Sequence, residues 1–293
     1  MSAPRIATAP ISWGVCEVPD WGHQLDTARV LDEMRRLGFT ATEAGPDGFL
    51  PGDGVRLRQS LAEHDLSLVG GFTPLVLHGE PALWRAALDR CLDRFAAAGG
   101  DVVVLAAATG LDGYDERPSL DAAGWARLLG ALDEAAASSA DRGLLAVLHP
   151  HLGTMVERPD ETRRVLDGCG IPLCLDTGHV LAGGGDPVAL AAEAAERVGH
   201  VHVKDVDATV ARRFAAGEIA YSDAVRAGLY RPLGAGDVDV GALLAALQKA
   251  GYAGWYVLEQ DVILGADPAP GAGPAVEAAE SLAYLTGALD QTP

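Results

Sequence analysis

The sequence predicts an α/β chain folded as one (β/α)8 barrel. Three observations lead there: eight short apolar runs alternate strictly with eight amphipathic runs, the best-defined strands are apolar on both faces, and polar residues collect where those strands end. The strands are expected at 5–11, 39–44, 66–72, 101–107, 144–149, 171–176, 200–205 and 254–260. The helices between them are expected at 24–37, 54–63, 81–98, 121–141, 159–166, 187–198, 240–250 and 275–289. Runs such as Val102-Val103-Val104-Leu105 suit a parallel sheet covered by helices on its outer face. An open doubly wound sheet would carry a glycine-rich phosphate turn after its first strand, and here that strand runs into Ile11-Ser12-Trp13-Gly14. Helix starts are marked too, with Asp121, Asp186 and Asp239 at N-cap positions and Pro81, Pro159 and Pro187 near N1.

At 293 residues, one large domain spanning 1–293 accounts for the whole chain. The connection from 206 to 236 is about twice as long as an ordinary loop. Its stretch 208–227 has helical periodicity through Val210, Phe214, Ile219 and Val225, and Pro232-Leu233-Gly234-Ala235-Gly236 then turns the chain. It reads as an insertion over the mouth of the barrel, serving as a lid or as a subunit contact in a homo-oligomer.

Composition narrows the function. The net charge of −19, with only 22 Lys and Arg, argues against nucleic acid and against anionic membranes as partners. No apolar run approaches the length of a membrane span, and the N-terminus has no export signal. Cys16, Cys91, Cys169 and Cys174 fall in no zinc spacing and read as reduced thiols of a cytoplasmic protein.

Active sites of eight-stranded barrels lie at the C-terminal ends of the strands. Five of the eight histidines (His149, His151, His179, His200, His202) occupy three consecutive strand-end segments, together with Asp176 and Glu259. Carboxylate and imidazole without thiolate suit manganese, cobalt, zinc or magnesium. Alternation puts His200, His202 and Lys204 on one face of their strand, and the intervening valines send that face toward the barrel axis. His200 is the deeper of the two histidines and is expected to be a core residue, which leaves His202 as the ligand. Asp176 reads equally well as a ligand or as an N-cap. Glu259 follows an apolar strand and needs a cation or a donor. Lys204 is placed to pair with Asp176 or Asp205.

Several segments resemble the xylose-isomerase-like barrel superfamily of sugar-phosphate isomerases and epimerases. They include Leu175-Asp176-Thr177-Gly178-His179, His200-Val201-His202-Val203-Lys204-Asp205 and Leu258-Glu259-Gln260-Asp261. Within it, the stretches at 9–14, 38–51, 70–78, 149–157 and 232–261 are most similar to inosose dehydratases, which dehydrate 2-keto-myo-inositol. The resemblance implies one divalent metal held by Asp176, His202 and Glu259. The superfamily takes its remaining ligand from a strand-five glutamate, where this chain has His149, so His149 or His151 is expected to complete the set. It further implies an enolate mechanism on a polyol or keto-sugar, with Glu43, His151, His179 and Lys204 as candidate base, acid and substrate contacts. Trp13 and Phe72 are expected as an apolar wall. The alternative on the same site is ketose isomerisation or epimerisation. A DNA-acting or non-catalytic barrel is the third class, and the acidic charge and the ligand set weigh against it.

Overall fold

The apolar runs become the staves of a parallel barrel. The structure is a computed structural model that describes residues 4–291. Its strands are β1 (Arg5–Thr8), β2 (Ala41–Thr42), β3 (Ser67–Leu68), β4 (Gly70–Leu75), β5 (Val102–Ala107), β6 (Leu145–Leu148), β7 (Leu173–Asp176), β8 (Val198–Val203), β9 (Asp205–Val206), β10 (Tyr230–Arg231) and β11 (Trp255–Leu258). Nine of them pair in the order β3-β2-β1-β11-β8-β7-β6-β5-β4, and every pairing is parallel. The two ends of that order are one stave interrupted at Val69. Its N–H donates to Thr42 on one side (2.9 Å), and its carbonyl accepts from Val102 on the other (3.0 Å). The stave resumes at Gly70, where a side chain would run into the Val102 carbonyl, so that position needs glycine. The eight staves foreseen from sequence are thus present, and some are shorter than expected: 39–44 narrows to β2, and 254–260 narrows to β11.

The helices are α1 (Thr27–Leu37), α2 (Gly54–Ala62), α3 (Pro81–Ala98), α4 (Ala122–Ala140), α5 (Pro159–Gly168), α6 (Thr177–Ala182), α7 (Pro187–Ala194), α8 (Ala208–Ala215), α9 (Tyr221–Arg226), α10 (Val240–Lys249) and α11 (Pro274–Gln291). Asp121, Asp186 and Asp239 each accept a backbone N–H as N-caps, and Pro81, Pro159 and Pro187 open their helices. Helix α6 begins directly after β7, with Asp176 as its cap.

The segment after β8 is ordered by one carboxylate. Asp205 is fully buried and accepts backbone N–H groups from Val206 (2.9 Å), Gly234 (2.8 Å), Gly236 (3.0 Å) and Val238 (3.0 Å). It therefore caps a turn and leaves Lys204 to other partners. A Cβ on Gly236 would collide with that carboxylate, so the turn needs glycine there. Strands β9 and β10 pair antiparallel beside the turn. The single helical stretch expected at 208–227 is two short helices, because Gly217 adopts φ 70° and ends the first. Together they carry Tyr221 and Tyr230 toward the mouth.

Replacing Asp205 by Ala strands several buried donors at once. We expect Asp205→Ala to lower the unfolding free energy by about 3 kcal/mol, measured by urea denaturation. A change within about 0.5 kcal/mol, the range of ordinary surface substitutions, would contradict this account of the turn.

Candidate metal centre

The C-terminal ends of the staves open into a cavity of about 570 Å³. Glu43, His149, His151, His202, Lys204, Glu259 and Asp261 line its polar side, and Trp21, Phe72, Tyr114 and Tyr221 stand among its aromatic walls. That volume suits a small-molecule site.

Each polar residue arrives by its position on a stave. Asp176 is the last residue of β7, and its two oxygens are divided between two tasks. Oδ1 accepts the His179 N–H that caps α6 (2.8 Å), while Oδ2 makes no hydrogen bond. Both alternatives read from the sequence, cap and ligand, are therefore open to one side chain. Around Asp176 Oδ2 stand His149 Nε2 at 3.3 Å and His202 Nδ1 at 3.5 Å. Glu259 Oε2 lies 3.2 Å from His202 Nδ1. Lys204 Nζ is 3.1 Å from Asp176 Oδ2 and 2.9 Å from Glu259 Oε2, and it also reaches Asp261 Oδ1 at 3.0 Å.

Two features of this cluster fit a bound divalent cation. First, Asp176 Oδ2, His202 Nδ1 and both ring nitrogens of His149 are buried without a hydrogen-bond partner. Such atoms are rare singly, and here three side chains from neighbouring staves gather them in one place. Second, Glu43, Asp176 and Asp261 are buried with Glu259 partly buried beside them, and Lys204 is the only Lys or Arg ion-paired with the four among the described residues. Buried carboxylates need compensating charge. The donor atoms of Asp176, His202 and Glu259 all lie within 4.8 Å of one another, as do those of His149, Asp176 and His179. A set of imidazole nitrogens and carboxylate oxygens matches a borderline divalent ion.

The surrounding electrostatics separate the bases from the cations. Burial opposes a charge on His202, yet Cys174, Glu259 and Glu43 hold its pKa well above the usual imidazole value. Burial likewise opposes the Lys204 charge, and Asp176, Asp261 and Glu259 outweigh it. Both shifts say that positive charge is favoured between these carboxylates. His151 is the reverse case: burial first, then His149 and Lys204, hold it well below the usual value, so it stays neutral. Burial, then His151 and Lys204, do the same for His179.

The remaining sequence candidates divide clearly. Phe72 lines the cavity, with its ring 5.2 Å from that of His151. Trp13 does not line it. Pro10–Trp13 forms a tight helical turn after β1 that turns the indole into the core, where Nε1 donates to Glu33 Oε2 (2.8 Å). The wall expected from Trp13 comes instead from Trp21, whose ring lies 6.0 Å from Tyr221. Glu43 lines the cavity and also meets two histidines: Oε1 accepts from His200 Nε2 (2.9 Å) and His202 Nε2 (3.0 Å). His179 Nε2 contacts Lys204 Nζ at 3.1 Å, and its ring lies 3.8 Å from that of His151.

Besides Trp21, three site residues, Asp261, Tyr221 and Tyr114, were not singled out from sequence. Asp261 links Lys204 to Tyr221, whose hydroxyl donates to its Oδ2 (2.7 Å). Tyr114 comes from the loop after β5 and packs against His151 at 5.0 Å. Only Asp261 left a usable signal, as a fourth carboxylate two residues beyond Glu259 on an apolar strand.

Comparison with known proteins agrees with this architecture. The pattern of the xylose isomerase-like TIM barrel family matches residues 31–286. The rhizopine catabolism protein MocC of Rhizobium meliloti is 34% identical over 273 residues, covering 88% of this chain and 81% of its own. An inosose dehydratase of Geobacillus kaustophilus (strain HTA426) is 30% identical over 275 residues, covering 88% and 87%. Among solved structures, an L-ribulose 3-epimerase superposes with a TM-score of 0.71 at 18% identity, covering 99% of this chain and 95% of that one. With these staves, this mouth and this match along most of its length, the chain belongs to the xylose isomerase-like TIM barrel family.

Proposed function

We propose that this protein is a metal-dependent hydro-lyase that removes water from a cyclitol ketone of the 2-keto-myo-inositol kind. The observation that carries the reading is the group of donor atoms on His149, Asp176 and His202 that make no hydrogen bond, set beside a neutral histidine and a buried lysine. The names of the relatives support the substrate class.

His149 Nε2, Asp176 Oδ2, His202 Nδ1 and Glu259 Oε2 would hold the ion. When bound, it supplies a Lewis acid that polarises the ketone and stabilises negative charge on its oxygen. The proton chemistry falls to this chain's own side chains. His151 Nδ1 donates to the Leu152 carbonyl (2.7 Å), which fixes the tautomer. In the neutral ring Nε2 then carries the lone pair, and it has no hydrogen-bond partner among the described residues. His151 lines the cavity, so that lone pair serves as the base for the proton α to the ketone. As the C–H bond breaks, its electrons form the carbon–carbon double bond of an enolate. The enolate then expels the β-hydroxyl. Lys204 keeps a proton at Nζ within the cavity, and this proton completes the departing water. Phe72, Tyr114 and Trp21 give the ring an apolar bed and narrow the access of bulk water.

The second reading is epimerisation of a ketose. It would return the proton to the opposite face and would need a second base there. Family relatives of that kind take a carboxylate from strand five, where this chain has His149. That substitution favours loss of water.

Dialysis against a chelator should abolish turnover of 2-keto-myo-inositol, and manganese or cobalt should restore it. Turnover should also produce the ultraviolet absorbance of a conjugated product. Undiminished activity without metal would refute the mechanism. Exchange of the α-proton with solvent without loss of water would favour the epimerase reading. A second test addresses the base: His151→Asn should lower kcat about 10²- to 10⁴-fold while the bound-metal content stays at the wild-type level. Lost metal would instead make His151 a ligand.

A further inference from the structure

Glu43 follows β2, separated from β8 by β1 and β11 in the barrel order, and is almost completely buried. A glutamate at a strand end in such a site is a natural candidate for the catalytic base. Its contacts argue otherwise. A single oxygen, Oε1, accepts from Nε2 of His200 at 2.9 Å and from Nε2 of His202 at 3.0 Å. The two rings stand 5.2 Å apart at 77°, so their Nε2 atoms meet that oxygen from different directions. Two N–H groups on Oε1 stabilise the charged carboxylate, which makes it a weaker base toward a proton on carbon.

The same contacts decide which nitrogen of His202 is free. With Nε2–H given to Glu43, the neutral ring that a metal ligand requires would carry its lone pair on Nδ1, and Nδ1 is the nitrogen that faces Glu259 Oε2 and Asp176 Oδ2. His200 Nδ1 is buried with no hydrogen-bond partner, so the Glu43 contact is what orients that ring as well. His202 thus has a carboxylate on each side, one holding its proton and the others sharing its lone-pair side. Carboxylates that accept the second N–H of a ligating histidine fix its tautomer and orientation and strengthen it as a ligand.

We propose that Glu43 is a positioning residue: it locks His202 as the Nε2–H tautomer, so that Nδ1 is presented to the metal, and His200 anchors Glu43 in that task. The inference rests on the metal-dependent reading above.

Titration with cobalt(II) alone separates the two. If the wild-type protein binds no cobalt, the metal reading fails and this inference falls with it. If it binds, Glu43→Gln should raise the dissociation constant about 10- to 100-fold. At saturating cobalt its kcat should return to within about tenfold of wild type, a smaller loss than removal of a base gives. Unchanged cobalt affinity, or a kcat that stays more than about a hundredfold down at saturating metal, would overturn the positioning role. Should Glu43→Gln not fold, nitrogen-15 NMR of the wild-type zinc-loaded protein gives the answer directly. The expected spectrum has N–H on Nε2 of both His200 and His202 and metal on Nδ1 of His202. A proton on Nδ1 of His202 with metal on Nε2 would refute the proposal.

Discussion

Three carboxylates, Glu43, Asp176 and Asp261, are buried at the mouth of this barrel with Glu259 partly buried beside them, and the rest of the site is arranged around compensating their charge. Glu43 is matched by two imidazole N–H groups, Asp176 by a helix N-terminus, and Asp261 by a tyrosine hydroxyl. Lys204 is shared among Asp176, Glu259 and Asp261. Even so, Lys204 is the one Lys or Arg paired with these carboxylates among the described residues, and Asp176 Oδ2, His202 Nδ1 and both ring nitrogens of His149 make no hydrogen bond. Such a concentration of negative charge at a buried site is unfavourable unless positive charge joins it. Structure and proposed chemistry meet there: a site that attracts a dication also stabilises the oxyanion formed next to it.

The scaffold holds this arrangement through backbone geometry. Parallel register brings Asp176 level with His202 on the adjacent stave, and His202 level with Val257, two residues before Glu259. Alternation along β8 then turns His200 and His202 inward while Val201 and Val203 join the core. Asp205 holds the turn that follows, and the segment beyond it delivers Tyr221 to Asp261. The Tyr221 backbone N–H also donates to Asp115 in the loop after β5 (2.8 Å), which ties the two sides of the mouth together.

Much of this was legible in the sequence because it depends on local pattern. Short runs apolar on both faces, acidic caps and helix-opening prolines are properties of consecutive residues, and they located the staves and most helices. The inward face of β8 followed from alternation alone. What escaped depends on contacts between distant segments. Trp13 was expected in the cavity because it follows a strand, but a tight turn intervenes and Glu33 on α1 takes its indole N–H. Tyr221 lies in a segment whose helical periodicity says nothing about which barrel residue it will meet. Glu43 was identified as a site residue, but its role depends on His200 and His202, more than 150 positions later in the chain.

Crystals grown with manganese and measured at an anomalous-scattering wavelength test the central claim most directly. The account predicts one ion about 2.0–2.3 Å from His149 Nε2, Asp176 Oδ2, His202 Nδ1 and Glu259 Oε2. An ion coordinated through His202 Nε2 beside Glu43 and His200, or no ion in this cluster at all, would contradict it.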